Sequence, residues 1–344
     1  MIKFAVVGMG HIGKRHAEMI RRDSHSELVA VCDVLQPENI GLKDLDVPFF
    51  SSIEELLASS LEIEVVNICT PNGFHADYAV KVLEARKHVV VEKPLALNKA
   101  DAERVLFKSL EVSKHVFSVM QNRYSPPSVW LKQLITQKTL GEIYMVKLDC
   151  YWNRDDRYYK AGSWHGDSEL DGGTLFTQFS HFIDIMYWLF GDITNITGNF
   201  ADFNHSQLTG FEDSGVVTFN FVNGGMGCLN YSTSVWDTNF ESAITIIGSQ
   251  GTVKVAGQYM NDVVYCHVKD YVMPELAPSN PPNDYGTYKG SAQNHHYVIQ
   301  NVVDKLTDKA NISTNLLESL KVVEIIERIY AERDTRFMKT AKLK

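Results

Sequence analysis

The sequence predicts an α/β protein in two parts: an N-terminal doubly wound parallel sheet, and a C-terminal α/β domain with a large, open, mainly antiparallel sheet. Short apolar runs alternate with helical patterns over the first part of the chain, which is typical of parallel strands covered on both faces. Strands of alternating polarity, separated by glycine and asparagine turns, dominate the rest. The 344 residues are enough for two domains.

In the N-terminal part, the repeated β-α units imply right-handed crossovers between parallel strands. Two helix starts carry capping side chains: Ser52 stands three residues before Glu55, and Asn98 three before Asp101. The expected strands are residues 3–7, 28–32, 65–69, 88–91 and 116–120. We place the domain boundary so that the two domains span residues 1–122 and 123–344.

In the C-terminal part, a break is expected at residues 124–127 and a proline-rich loop at residues 274–289. The expected strands are residues 143–151, 215–221, 226–234, 243–247 and 263–268. The expected helices are residues 129–137, 175–189, 293–306 and 316–332.

Composition excludes several classes of function. The net charge of −9 argues against nucleic-acid binding, and no apolar stretch is long enough to span a membrane. The five cysteines are widely spaced, so that no metal site is expected and reduced thiols are favoured. Because no signal peptide is recognisable at the start, we expect a cytoplasmic protein.

A glycine motif follows the first expected strand and precedes a helical pattern. Gly8, Gly10 and Gly13 form G-x-G-x-x-G, in which the first glycine permits the tight turn and the second admits a pyrophosphate. Asp33 ends the second expected strand, where a carboxylate contacts the adenosine ribose and repels a ribose phosphate. The motif therefore predicts a Rossmann domain that prefers NAD, with NADP possible. A plain βα turn and a capping Asp33 are the alternatives.

Two further segments carry chemistry. Lys93 follows the strand at residues 88–91, at the edge where doubly wound sheets bind ligands, although a surface ion pair with Glu92 is the alternative. Thr177, His181 and Asp184 share one face of a helix that follows Gly172 and Gly173. Histidine transfers protons near neutral pH, although a lone histidine on an apolar helix is often a core residue.

Together these motifs resemble the Gfo/Idh/MocA family, which includes glucose–fructose oxidoreductase and inositol dehydrogenase. They are residues 8–13 with His16 close behind, residues 70–72 with His75, residues 92–94, and the helix that carries His181. The resemblance implies oxidation or reduction of a sugar or polyol carbon by a nicotinamide, with Lys93 and His181 beside the reacting carbinol across an interdomain cleft. It also implies a cis Lys93-Pro94 bond and a homo-oligomer, a dimer or tetramer, formed through the open sheet.

The expected site follows from these motifs and the resemblance. Lys93 and His181 are the expected catalytic pair. The expected cofactor-binding residues are Gly8, Gly10, His11, Ile12, Gly13, Asp33, Thr70, Asn72, His75, Glu92 and Lys93. The expected residues for a small sugar-type substrate are Lys93, Arg157, Tyr159, Trp164, Thr177 and His181.

One position departs from the family pattern. The family often has an acidic residue four positions before the histidine, where this chain has Thr177. Relatives that oxidise UDP-linked N-acetylhexosaminuronic acids tend to carry Asn there, followed by Gln-Gly, and this chain keeps only Gln178. Residues 157–160 and 163–166 also resemble that branch.

The sequence thus favours an NAD(P)-dependent sugar or polyol dehydrogenase. Two alternatives stay open: a non-catalytic dinucleotide-binding sensor or structural subunit, and a sugar hydrolase or epimerase that uses NAD only transiently.

Overall fold

The computed structural model describes residues 1–42 and 45–341. The chain divides into two compact units. The first comprises Met1–Met120 and His295–Val323; the second comprises Gln121–Asn294 and the chain from Glu324 onward. The domain boundary expected after residue 122 lies two residues beyond the division between Met120 and Gln121. No local sequence pattern indicated that His295–Val323 belongs to the first unit.

The first unit contains a parallel sheet of six strands in the order β3-β2-β1-β4-β5-β6. Its strands are β1 (Ile2–Val7), β2 (Ser26–Cys32), β3 (Phe49–Phe50), β4 (Val65–Ile68), β5 (His88–Val91) and β6 (Val116–Ser118). Its helices are α1 (His11–Arg22), α2 (Ile53–Ala58), α3 (His75–Glu84), α4 (Lys99–Val112) and α7 (His295–Leu306). Because β1, β4 and β5 are neighbours and parallel, the loops that follow them meet at one edge of the sheet.

Two helix starts in the first unit follow the capping pattern of the sequence. The Ser52 hydroxyl accepts a hydrogen bond from the Glu55 amide at 3.2 Å and begins α2. The Asn98 side chain accepts one from the Asp101 amide at 2.8 Å and begins α4. Both predicted caps are confirmed.

The second unit contains a sheet of seven strands in the order β13-β12-β11-β7-β10-β9-β8. Within it β7 and β10 pair in parallel and the other neighbours are antiparallel, which confirms the predicted mainly antiparallel sheet. Its strands are β7 (Ile143–Tyr151), β8 (Ile193–Ala201), β9 (Ser214–Phe221), β10 (Met226–Ser232), β11 (Glu241–Gly248), β12 (Gly251–Ala256) and β13 (Asp262–Val268). A separate hairpin joins β14 (Pro282–Asp284) to β15 (Lys289–Ala292).

Helices α5 (Pro126–Thr136) and α6 (Ser180–Phe190) pack together in the second unit. Near α6, the rings of Phe179 and Phe182 meet Trp152, which follows β7, at 5.6 and 5.7 Å between centroids. The long helix α8 (Leu316–Ala341) ends the described chain. No helix among residues 1–42 and 45–341 combines the length and the apolar character that crossing a membrane requires.

Three expectations for the second unit need correction. The break at residues 124–127 is a helix start, since α5 begins at Pro126, and proline suits the first helical position. The helix expected from residue 175 opens with a π-helical turn, Leu175–Phe179, before α6. The loop expected at residues 274–289 contains β14.

Candidate active site

The glycine turn after β1 has a geometry that only glycine fits at two positions. Gly8 has φ +87°, and a Cβ on it would lie 2.7 Å from the backbone of Cys69. A Cβ on Gly13 would lie 1.8 Å from the Gly8 carbonyl oxygen. At Gly10, by contrast, a Cβ would meet nothing within 4 Å. Open space therefore lies where α1 begins, and no side chain caps that helix end, as a bound pyrophosphate requires.

Asp33 ties the end of β2 to this turn. One carboxylate oxygen accepts the Met9 amide at 2.6 Å, and the other accepts the Leu35 amide at 2.9 Å. Each oxygen keeps a further lone pair, so that the carboxylate can still accept a ribose hydroxyl. At the start of α1, His11 is exposed and Ile12 is half-buried.

The loops after β4 and β5 are joined by His75. Its Nδ1 lies 2.6 Å from the Pro94 carbonyl oxygen, and its Nε2 lies 2.9 Å from the Thr70 carbonyl oxygen. Burial lowers the pKa of His75, and a neutral ring donates to one of the two carbonyls at a time. The Lys93-Pro94 bond is cis, which confirms that prediction. The buried hydroxyl of Thr70 has no hydrogen-bond partner among the described residues.

Glu92 is the centre of a buried polar cluster. One of its carboxylate oxygens lies 3.0 Å from His16 Nε2 and 3.4 Å from His295 Nε2. The other accepts the Lys93 amide at 3.2 Å, and the Asn67 amide nitrogen lies 2.9 Å from His16 Nδ1. Burial alone would raise the pKa of Glu92, but the hydrogen bond from His16 and the nearby ring of His295 hold it well below its usual value. Burial lowers the pKa of His295.

The donor set of His16, Glu92 and His295 resembles a metal site in composition. The Asn67 amide faces one nitrogen of His16 and Glu92 faces the other, so that hydrogen bonds account for these two members. Both buried ring nitrogens of His295, by contrast, have no hydrogen-bond partner among the described residues. His295 was missed at the level of sequence because its link to Glu92 joins distant parts of the chain and follows no local pattern.

The helix that carries His181 in the second unit follows a loop in which two glycines have positive φ. Gly172 and Gly173 have φ of +85° and +118°, and a Cβ on Gly173 would lie 2.7 Å from the Tyr330 hydroxyl oxygen. That hydroxyl accepts the Leu175 amide at 2.8 Å. The π-helical turn Leu175–Phe179 comes next, and such turns are frequent at functional sites. His181 lies in the first turn of α6 and is buried.

Thr177 is hydrogen-bonded to Asp171, an acidic residue for which the sequence predicted no role. Its hydroxyl contacts the Asp171 carboxylate and lies 2.9 Å from the Asp171 carbonyl oxygen. The second carboxylate oxygen of Asp171 accepts the Gly166 amide at 2.9 Å. Asp171 and Thr177 are both buried. A carboxylate therefore lies one hydrogen bond away from the position where the family often has an acidic residue.

The three substrate candidates in the loop before α6 differ in their surroundings. Arg157 pairs with Asp155 at 2.7 Å and Asp237 at 3.1 Å, and the hydrogen bond that it donates to Asp155 raises its pKa above the usual range. Tyr159 is buried in an aromatic cluster. Trp164 is half-buried, and its ring centroid lies 3.9 Å from that of His165.

Arg154, for which the sequence predicted no role, is fully buried beside these residues. Its guanidinium carbon lies 4.9 Å from the Trp152 ring, 5.0 Å from Tyr158 and 5.2 Å from Tyr288. Its Nε donates to the Gln178 side chain at 2.7 Å, just before α6. The signal in the sequence was an arginine beside aromatic residues, three positions before Arg157.

The comparisons with known proteins agree with this geometry. Residues 2–120 match an oxidoreductase family with an NAD-binding Rossmann fold, and residues 129–254 match the Gfo/Idh/MocA C-terminal domain. The WlbA dehydrogenase of Bordetella pertussis, solved with NADH and UDP-GlcNAcA, superposes with a TM-score of 0.82 and 30% identity over 97% of each chain. This likeness confirms the suspected branch.

Two curated relatives carry different activities. The 2,7-anhydro-N-acetylneuraminate hydratase of Escherichia coli K12 is 28% identical over 265 residues, or 74% of this chain and 68% of that protein. The inositol 2-dehydrogenase of Salmonella typhimurium is 28% identical over 228 residues, or 65% of each.

A parallel sheet with this glycine turn, followed in the chain by a sheet-rich unit, defines an NAD-binding oxidoreductase. The chain belongs to the Gfo/Idh/MocA family.

Proposed function

We propose that the chain is an NAD-dependent dehydrogenase that transfers a hydride between the nicotinamide and a secondary alcohol carbon of a sugar, sugar acid or nucleotide sugar. The observation that carries the proposal is the placing of Gly8, Thr70 and Lys93. They lie in the loops after β1, β4 and β5, three neighbouring parallel strands of one sheet. A lysine is thus brought to the same sheet edge as the dinucleotide turn.

The residues of this edge suit the cofactor. The open space at Gly10 and the start of α1 would hold the pyrophosphate, and Asp33 would hold the adenosine ribose. The unpartnered Thr70 hydroxyl offers a further polar contact. His75 and Glu92 would contribute by fixing the loops, because their polar atoms already bond to protein groups. When bound, NAD supplies the hydride acceptor.

Lys93 and His181 are the side chains that we propose handle the hydroxyl proton. The lysine ammonium would stabilise a developing alkoxide by its charge. An imidazole is suited to accept or return the proton near neutral pH. Thr177 does not act as a base at neutral pH, so that its proposed role is contact with substrate and with Asp171.

The proposed substrate class is a nucleotide-linked sugar acid. Its support is the likeness to the WlbA dehydrogenase solved with UDP-GlcNAcA and the resemblance in sequence of residues 157–160 and 163–166 to that branch. Arg157, Tyr159 and Trp164 are proposed to contact the substrate, and the arginine is proposed to bind the carboxylate or phosphate of that substrate.

A substrate screen tests the proposal. Purified protein with NAD is mixed with UDP-GlcNAcA, free uronic acids, hexoses and inositols, and nicotinamide absorbance is followed. Reduction of NAD in step with sugar oxidation is the expected result. Sugar conversion with no net NAD reduction would instead favour transient use of NAD, an alternative that the similarity to the E. coli hydratase supports. Tight NAD binding with no conversion of any sugar would favour the sensor.

We also propose a cytoplasmic homo-oligomer, a dimer or tetramer. Register places Met145 beside Met226 and Ile247 on one face of the larger sheet, and all three are exposed. An apolar sheet face of this kind suits association between copies. Light scattering should give a multiple of the 38.9 kDa chain mass, and Met226→Glu should shift it toward the monomer. A monomeric wild-type mass would contradict the proposed oligomer.

The proposed cytoplasmic location is supported by the cysteines. All five are free, which suits a reducing compartment.

A further inference from the structure

His295, at the start of α7, is a buried histidine whose ring is not satisfied by hydrogen bonds. It is 2% exposed, and neither ring nitrogen has a hydrogen-bond partner within the part of the chain that the structure describes. Burial lowers the pKa of His295, so that the ring is neutral and one nitrogen presents a lone pair. Because buried polar atoms are almost always bonded to protein, water or an ion, this ring is a candidate ligand.

A carboxylate and a second imidazole lie close to the ring of His295. Nε2 of His295 is 3.4 Å from Oε1 of Glu92, and Nε2 of His16 is 3.0 Å from the same oxygen. One possible ligand atom from each of the three residues lies within 4.8 Å of the other two. All three side chains are buried. They belong to α1, to the loop after β5 and to α7, which are parts of the first unit.

The distance between His295 and Glu92 suits two ligands of one ion. Ligands that each lie about 2.0–2.2 Å from a tetrahedral ion are about 3.3–3.6 Å apart, and the observed distance is 3.4 Å. A hydrogen bond between nitrogen and oxygen is shorter, about 2.7–3.2 Å. The 3.0 Å between His16 and Glu92 is that of a hydrogen bond, which a bound ion would replace.

Asn67 offers the outer contact that a ligating histidine needs. Its side-chain nitrogen lies 2.9 Å from Nδ1 of His16, and its side-chain oxygen is buried without a partner among residues 1–42 and 45–341. When Nε2 of His16 binds an ion, the proton of the neutral ring lies on Nδ1 and requires an acceptor. A half-turn of the Asn67 amide presents its oxygen to that proton.

We propose that His16, Glu92 and His295 bind one divalent transition-metal ion, Zn²⁺ above all, inside the first unit. Two histidines and one glutamate form a zinc ligand set, and water takes the fourth position in such sites. The sequence predicted no metal site because the cysteines are widely spaced, whereas this ligand set contains no cysteine. The inference goes beyond the proposed function and does not depend on it.

The zinc content of the purified chain tests this inference. Protein without an affinity tag is produced with added Zn²⁺ and desalted, and zinc is measured by inductively coupled plasma mass spectrometry. His295→Leu removes one ligand. His296→Leu is the matched control, since His296 is the exposed neighbour outside the set. Unfolding temperatures should show that each variant is folded.

We expect one zinc ion per chain in the wild type and in His296→Leu, and loss of most of it in His295→Leu. Removal of zinc by a chelator should lower the unfolding temperature of the wild type, because an ion that binds only the folded chain stabilises it. The same treatment should leave His295→Leu unchanged. Should His295→Leu fail to fold, Glu92→Gln replaces it, because a neutral amide is a poorer zinc ligand than a carboxylate.

Two results would overturn the inference. Wild-type protein without zinc would show that the cluster holds hydrogen bonds and water only. Equal zinc in the wild type and the ligand variant would show that the ion binds elsewhere. Because these measurements need neither NAD nor a sugar, their failure is distinct from failure of the proposed function, which would appear as no conversion in the substrate screen.

Discussion

Arg123 and Asp184 form a buried ion pair through two hydrogen bonds, of 2.7 and 2.6 Å, in the second unit. Asp184 lies on α6, three residues after His181, so that the pair anchors the helix that carries the proposed catalytic histidine. Asp184 was expected to share a face with Thr177 and His181, and the structure shows that its carboxylate is engaged by Arg123.

Asp184→Asn should lower the free energy of unfolding by about 3–5 kcal/mol, because it leaves the buried Arg123 guanidinium without its counter-charge. Urea titration measures the change. Asp77→Asn is the control, since Asp77 pairs with Arg104 at 2.8 Å on the surface, where a pair contributes less than about 1 kcal/mol. Equal losses of unfolding free energy in the two variants would show that the buried pair contributes no more to stability than the surface pair.

Alanine at two glycines should separate folding from cofactor binding. Gly13→Ala should destabilise the first unit by about 1–3 kcal/mol or more, because its Cβ would collide with the Gly8 carbonyl oxygen. Gly10→Ala should leave stability nearly unchanged, since nothing lies within 4 Å of the new Cβ, yet weaken NAD binding by occupying the proposed pyrophosphate space. Thermal unfolding and calorimetry give the two readouts. Wild-type NAD affinity in Gly10→Ala would show that the pyrophosphate does not bind beside Gly10.

Asp33 should set the preference between the two nicotinamide cofactors. Asp33→Ala should weaken NAD more than NADP, because a carboxylate at the end of β2 accepts a ribose hydroxyl and repels a ribose phosphate. Asp33→Asn is the control that keeps an acceptor for the Met9 amide while removing the charge, and it should also shift preference toward NADP. Calorimetry with both cofactors measures the ratio; an unchanged ratio in both variants would remove Asp33 from this role.

Thr177 should stabilise the loop before α6 through Asp171. Thr177→Val removes the hydroxyl donor from a buried carboxylate, which should cost about 1–3 kcal/mol. Thr177→Ser keeps the hydroxyl and should retain most of that stability. If urea titration gave both variants the same loss, the hydrogen bond to Asp171 would not be the cause.

The strands that were predicted are those whose burial imposes a readable pattern. The strands β4 and β5 are almost entirely buried and consist mainly of valine and isoleucine, and β9 alternates between buried and exposed residues. The edge strand β8 was missed because only two of its nine residues are buried and many of its side chains are polar. The two-residue β3 is too short for any period to show.

The site was predictable where a local motif carries it. The turn at Gly8 and Gly13 requires glycine for steric reasons that a motif records. The approach of His295 to Glu92, at 3.4 Å, by contrast depends on the packing of α7 against α1. The π-helical turn before His181 likewise depends on surrounding contacts, such as the bond from Leu175 to Tyr330, and not on residue type alone.

The central claim is that Lys93 and His181 are catalytic, and turnover of the substrate found by the screen tests it most directly. Lys93→Ala and His181→Ala should each lower kcat on the order of a hundred- to ten-thousand-fold, the usual effect of removing a positioned acid or base. NAD affinity should stay within a few-fold, and Lys99→Ala should behave as the wild type. Near-normal turnover in either variant would contradict the catalytic role of that residue, and lost NAD binding would show that the residue is structural.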